Sequence, residues 1–266
     1  MNRQVVLGEL PAQTETLWGY ILELTRRLDP TAWVLVGGKM VMLHAHSREF
    51  VEPVRASQDV DILADLTVST ESYTTCARVV VDELKHRLEP DSEGLRYRHR
   101  NPDFGTVIDI LCPDHRAPAG TVGTLSIEGG FQALQRRTMI DVRLAESDQP
   151  VGVPVPNLLG ASVLKAAAAV VDSRDPDRHV NDLALLVSLM EDPVEERSRF
   201  KGNDRSRLLR VHPQLQNENV LPWRRLGKPR GGGVPELEHL GCRSPLNALL
   251  GASGQTDSVR VRAARD

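Results

Sequence analysis

Three aspartates carry the chemistry in this 266-residue chain. Asp59 and Asp61 flank Val60 in QDVDI, and Asp109 interrupts the run TVIDILC where another aliphatic residue is expected. Side chains alternate along an extended strand, so Asp59 and Asp61 share one face while Val60 and Ile62 take the other. Two carboxylates on one strand and a third on another can converge on divalent metal ions. Ligands that are all oxygen favour Mg2+ or Mn2+ over zinc. Such a cluster suits displacement at phosphorus, with ions about 3.5–4 Å apart steadying the attacking and leaving oxygens. A DxD pair alone is common on solvated strand edges; an acid inside an apolar strand is the more telling residue.

A phosphate would need its own seat. Trp33 to Val36 reads as a short buried strand that runs into Gly37-Gly38 and then a helix over Lys39 to His46. A strand-to-helix turn of this kind presents backbone N–H groups and the positive end of the helix dipole to an anion. Without a ligand the same pair would simply be a tight turn. Neither GxxxxGK[ST] nor GxGxxG occurs in the chain, which disfavours the common ATPase and dinucleotide readings. Ser57 lies two residues before Asp59 and shares its face if the strand begins early enough.

The elements that position these residues follow from hydrophobic period. Helices are expected over Gln13 to Arg27, Thr70 to Leu88, Asn157 to Val171 and Val180 to Met190. Strands are expected over Trp33 to Val36, Asp59 to Leu63, Leu95 to His99 and Thr106 to Cys112, with a short extended piece in VGVPVP after Pro150. The order implies an α/β (α+β) fold, a mixed sheet flanked by helices and followed by a small helical domain. We expect a core over 1–149, a helical domain over 150–196, and an irregular Gly/Pro/Arg-rich tail over 197–266.

Taken together, Val36-Gly37-Gly38, Asp59-Val60-Asp61 and Asp109 resemble the pattern of the DNA polymerase β-like nucleotidyltransferase superfamily. More narrowly, the chain is similar to the AbiEii toxin group and its MenT-type relatives. The features are the long gap between GG and DxD, RASQDVDI with Arg55 and Ser57, the lysine in SVLKAAAAV, and HVNDLALL. The resemblance spans about Val34 to Met190 and implies a metal-dependent transfer of NMP from an NTP to an acceptor hydroxyl. It implies catalytic roles for Asp59, Asp61, Asp109, Lys165 and Asp182, with the first three as metal ligands for Mg2+ or Mn2+. It further implies nucleotide binding by Gly37, Gly38, Lys39, Ser57 and Lys165. Lys165 would otherwise read as a lysine snorkelling from an Ala-rich helix, and Asp182 as a first-turn acid facing the dipole. Lys39 departs from the Ser or Thr that follows the Gly pair in many relatives, and Arg178-His179 departs from their Lys-Asp.

The acceptor implied by the resemblance is RNA, in MenT-like members a tRNA 3′ end, with the chain as toxin beside a cognate antitoxin protein. Arg96, Arg98 and Arg100, Arg136-Arg137 and the tail would then contact phosphates. Transfer to a small molecule or protein, and a non-catalytic nucleotide-binding module, stay open as alternatives. From Lys201 onward there are twelve Lys and Arg against six Asp and Glu, while the whole chain carries a formal charge of -3, so the body is acidic and the tail basic. Three cysteines without CxxC spacing indicate neither a disulfide framework nor a zinc site. With no signal-peptide core and no membrane span in the sequence, a cytoplasmic location is expected.

Overall fold

The computed structural model describes residues 4–50, 57–114, 123–144, 149–215 and 244–251. The chain enters through β1 (Gln4–Val6), α1 (Ala12–Arg27), β2 (Trp33–Val36), α2 (Gly37–His46) and β3 (Asp59–Ala64). Next come α3 (Ser72–Arg78), a π-helical turn (Val79–Glu83), β4 (Arg87–Leu88), β5 (Arg98–Arg100), β6 (Val107–Pro113) and β7 (Ser126–Ile127). The remainder is α4 (Gly130–Leu134), β8 (Arg137–Arg143), β9 (Val151–Pro156), α5 (Leu158–Val171), α6 (Pro176–Ser188), α7 (Pro193–Ser198), α8 (Asp204–Leu215) and α9 (Pro245–Leu250). This is the mixed α/β architecture that the pattern of elements implies.

The main sheet has the order β2-β3-β6-β5-β4, with β7 pairing to β6. Only β3–β6 and β6–β7 are parallel; β2–β3, β5–β6 and β4–β5 are antiparallel. A smaller sheet, β1-β8-β9, stands beside it. The pleat of the main sheet sorts its residues into two cores. Trp33, Leu35, Val60, Ile62, Ile108 and Ile110 enter the larger one, which includes Leu17, Trp18 and Ile21 of α1. Val34, Val36, Leu63 and Leu111 enter a smaller one, closed by Leu134 of α4 and Leu164 of α5. The acids belong by alternation to this second face, so the residue after Leu164 is brought to the same side as the carboxylates.

Several expectations change. The helix over Thr70 to Leu88 is cut short: three consecutive β-branched valines open a π turn in which the Leu84 N–H donates to the Val79 carbonyl at 3.0 Å. Lys85 then adopts φ 60° and reverses the chain into β4. The helix expected from Val180 begins earlier, at Pro176. Asp175 caps it by accepting from the Arg178 N–H, and proline at the first position suits a helix start. Strand β8 and helix α4 lie where no element is expected from sequence.

The segment after 197 is also not wholly irregular. Helix α8 is anchored by Asp204, fully buried, whose carboxylate receives Arg136 Nη2 at 2.5 Å and the Lys201 N–H at 2.7 Å. Arg207, equally buried, reaches Asp114 at 2.9 Å and Glu128 at 3.1 Å. Polar side chains hide the hydrophobic period here, because the helix is held by ion pairs as much as by Leu208, Val211 and Leu215. Residues 216–243 and 252–266 of the expected tail lie outside the described residues. Among the described residues, no helix is long and apolar enough to cross a membrane. Cys76 and Cys112 are free and buried, while Cys242 lies outside them. Asp204→Asn leaves the Arg136 guanidinium buried and uncompensated. A loss of about 3–5 kcal/mol is expected in urea unfolding; an unchanged midpoint would show α8 to be peripheral.

Candidate active site

A single row of residues crosses four strands and makes the site. In β2–β3 pairing Val36 stands opposite Asp61, in β3–β6 Asp61 stands opposite Asp109, and in β5–β6 Asp109 stands opposite Arg98. Partners in register project from the same face of a sheet, so two carboxylates face each other and an arginine closes the row. Asp59, two residues along β3, completes a triad in which one carboxylate oxygen from each residue lies within 4.8 Å of the other two. Asp109 is buried, and Asp59 and Asp61 are half-buried. Three carboxylates this close, with oxygen donors only, form a set that can hold a divalent cation.

Asp61 bears most of the cost of this arrangement. Its desolvation, then the charges of Asp59 and Asp109, push its carboxyl up to about 8, against the pull of Lys165 and Arg178. Asp109 is likewise raised by burial, and the Arg98 guanidinium opposes the shift. That guanidinium grips Asp109 as a fork, Nε to Oδ1 at 3.0 Å and Nη2 to Oδ2 at 2.8 Å. The Ser57 hydroxyl donates to Asp59 Oδ1 at 2.6 Å, so Ser57 sits on the same face as Asp59.

Gly37 and Gly38 open α2 directly beside Asp61. Gly37 has φ +69°, and a Cβ built on it would lie 1.8 Å from Asp61 Oδ2. Any side chain there would displace the carboxylate, so glycine is required both for the backbone conformation and for space. The turn thus serves the acids at least as directly as it would serve a phosphate. The N-cap residue Val36 contributes no side-chain acceptor to the first turn of α2, and that turn contains no acid. Lys39, the third residue of the helix, is 1% exposed, and its Nζ has no hydrogen-bond partner among the described residues. Burial lowers its ammonium to about 8, although Asp59 acts in the other direction.

The helical pair supplies the other side. Lys165 on α5 and Asp182 on α6 are both buried, with Nζ 2.7 Å from Oδ2. Lys165 is therefore not a surface lysine. Asp182 is not a first-turn acid either, since α6 starts at Pro176, with Asp175 as its cap. The structure brings Asp59, Asp61 and Asp109 together, with the Lys165 charge acting on Asp61 and the Asp59 charge on Lys39.

Two arginines near the acids escape sequence reasoning. Arg178, on the first turn of α6, acts on Asp61 and is held by Asp172, the C-cap residue of α5, at 2.5 Å. Its signal in sequence is the departure at Arg178-His179. Arg98 is visible as part of the alternating arginines, but its partner is set by strand register.

The arginines expected to meet RNA are mostly paired. Arg98 is on Asp109, Arg100 on Glu89 at 2.6 Å, Arg136 on Asp204 and Arg137 on Asp65 at 2.6 Å. Three of the five, Arg98, Arg136 and Arg137, are counter-ions to buried acids, while Arg100 and Glu89 form an exposed surface pair.

No protein-family model matches the sequence, and no curated protein matches it. Among solved structures, an antigenic nucleotidyltransferase-like protein from Paracoccidioides brasiliensis is similar with a TM-score of 0.46 and 12% identity, over 89% of this chain and 92% of that one. A likeness of that size carries no argument about activity, and the site stands on its own residues.

Because ionised Asp61 opposes folding, Asp61→Asn removes a repulsion at nearly constant shape. The raised carboxyl means this cost grows as pH climbs from the ordinary aspartate range towards 8, so the relief is largest at pH 8. In metal-free thermal unfolding at pH 8, Tm is expected to rise by about 2–4 °C per kcal/mol relieved. Stabilisation by added Mg2+ is expected to disappear in the same variant.

Proposed function

We propose that the chain is a metal-dependent nucleotidyltransferase. The observation that carries this reading is the triad of Asp59, Asp61 and Asp109 beside the glycine start of α2, with the Lys165 charge on α5 acting on Asp61. Asp59, Asp61 and Asp109 would hold Mg2+ or Mn2+. The ion would supply positive charge that acidifies the acceptor hydroxyl and steadies the leaving pyrophosphate. The acceptor oxygen forms a bond to the α-phosphorus as the bond to the pyrophosphate oxygen breaks.

The chain's own groups divide the rest. Asp109, oriented by the Arg98 fork, draws the proton from the acceptor hydroxyl. Gly37 and Gly38 leave backbone N–H groups of α2 open to phosphate oxygens, and Lys39 stands on the same turn. Ser57 fixes the Asp59 carboxylate that the nucleotide's ion would use. Lys165 neutralises charge gathering on the pyrophosphate, and Asp182 keeps its ammonium in place.

The sequence resemblance extends this reading to RNA as acceptor, at a tRNA 3′ end, and to the toxin of a toxin–antitoxin pair. With four of the five arginines engaged, support for RNA rests on that resemblance and on the basic composition after Lys201. The decisive experiment gives the protein each α-labelled NTP with Mg2+ and either total tRNA or candidate small molecules. Label is expected in tRNA. Asp59→Ala should lower transfer by about 10³-fold or more while the variant stays folded, since losing a metal ligand forfeits several kcal/mol of charge stabilisation. Wild-type protein that labels nothing would sink the transferase reading, and label only in a small molecule would replace RNA as the acceptor.

A further inference from the structure

Asp172, the C-cap residue of α5, gathers three basic side chains on one carboxylate. Its Oδ1 accepts from the Arg174 backbone N–H at 3.0 Å and from Arg174 Nε at 3.2 Å. Its Oδ2 receives Arg178 Nη2 at 2.5 Å and lies 3.2 Å from His179 Nε2. That same Nε2 stands 3.2 Å from Arg178 Nε. His179 is buried, and its other ring nitrogen, Nδ1, has no hydrogen-bond partner among the described residues. Arg178 in turn acts on Asp61.

No neutral form of the ring satisfies these contacts. A guanidinium only donates, so Arg178 Nε needs a lone pair on Nε2. That tautomer sets the lone pair against the Asp172 carboxylate and leaves a buried Nδ1–H without an acceptor. The other tautomer donates Nε2–H to Asp172, and Arg178 Nε then meets a donor. A protonated ring donates to Asp172 with a full charge, but it competes with Arg178 for one oxygen and repels it. Burial, then the Lys165 charge, hold protonation of His179 below the ordinary histidine range; Asp172 and Asp182 favour it, and Arg178 opposes it. Near neutral pH the ring is uncharged, and it gains its proton as pH falls. Of the other helices packed on α6, α2 carries Lys39, His44 and His46, and α9 carries no ionisable residue. Those of α8 (Asp204, Arg205, Arg207, Arg210 and His212) are bonded to groups outside this cluster.

We propose that His179 is a proton-operated latch on Arg178. While the ring is neutral, Asp172 keeps the guanidinium; when the ring is protonated, the imidazolium takes Asp172 Oδ2 and Arg178 is released towards Asp61. The latch rests on the contacts around Asp172, and its effect on a bound ion rests on the transferase reading. A released guanidinium adds positive charge where the acids would hold a divalent ion, so the two compete. Neutral His179 therefore keeps the triad open to metal, and acid closes it. His179 does this through Arg178, which makes it a positioning residue and not a catalytic one.

Nitrogen NMR of the metal-free full chain tests the latch by following the His179 ring and Arg178 Nε signals against pH. The Arg178 signal is expected to move at the midpoint of the His179 titration, and to stay flat through that range in His179→Gln. Arg178→Met is expected to raise the His179 midpoint by about 0.5 pH unit or more, about threefold in proton affinity. A purely structural His179 would leave the Arg178 signal without a titration. An unchanged midpoint in Arg178→Met, or an Arg178 signal that titrates alike in His179→Gln, overturns the proposal. Should His179→Gln fail to fold, the Arg178→Met midpoint decides alone. Mn2+ titrated calorimetrically reads the consequence: from about pH 7.5 to about pH 5.5, wild type is expected to lose about threefold more affinity than Arg178→Met. Equal losses overturn the release of Arg178 towards Asp61. Protein that shows the NMR coupling but binds no Mn2+ at either pH supports the latch and rejects metal-dependent transfer.

Discussion

Like charges placed opposite each other in neighbouring strands repel, and this chain puts two aspartates in register at the centre of its main sheet with a third close by. Much of the surrounding structure compensates for that choice. Arg98 comes from β5 to grip Asp109; Ser57 donates to Asp59; Lys165 and Arg178 bring positive charge towards Asp61 from the helical pair. Gly37 yields the space that the Asp61 carboxylate occupies. The compensation is partial, since Asp61 and Asp109 both remain harder to ionise than ordinary aspartates. Three acids this close form a set that could hold a divalent ion.

The two cores explain how a polar site survives inside a folded sheet. The face carrying Val60, Ile62, Ile108 and Ile110 packs into the larger core, with the buried His99 of β5 opposite Ile108 as a polar member. The opposite face needs only Val34, Val36, Leu63 and Leu111 to seat α4 and α5, which leaves the strand positions of the acids available for charge. Stability and chemistry are thus assigned to opposite sides of the same strands. The helices that cover the second face also import Lys165, because packing Leu164 fixes the position of its neighbour.

Much of this was legible in the residues. Alternation in QDVDI and the lone acid of TVIDILC located the triad, and the short run WVLV ahead of Gly37 located the strand-to-helix turn. Strand pairing was not legible, since nothing local states that Arg98 stands opposite Asp109. That is why Arg98 reads in sequence as one of a row of surface arginines, while in the fold it is the counter-ion of Asp109. The start of α6 was available in Asp175-Pro176 but lay outside the apolar period. Helix α8 was hidden because its buried face includes Asp204 and Arg207, residues whose partners lie far away in sequence. What propensity and period cannot show is which distant charge makes a local polar residue acceptable.

The parallel pairing of β3 with β6 has a consequence for how the protein is made. Hairpin neighbours can zip locally, whereas parallel strands must wait for the crossover between them, here through α3, β4 and β5. Asp59 and Asp61 leave the ribosome early and meet Asp109 only when that crossover has closed; Lys165 and Asp182 emerge later still. A nascent chain therefore keeps Asp109 apart from Asp59 and Asp61 in water, where their repulsion is weak, until β3 and β6 pair. The cluster is completed late in the chain, and a chain interrupted between β7 and α5 would carry all three carboxylates without the ammonium whose charge acts on Asp61.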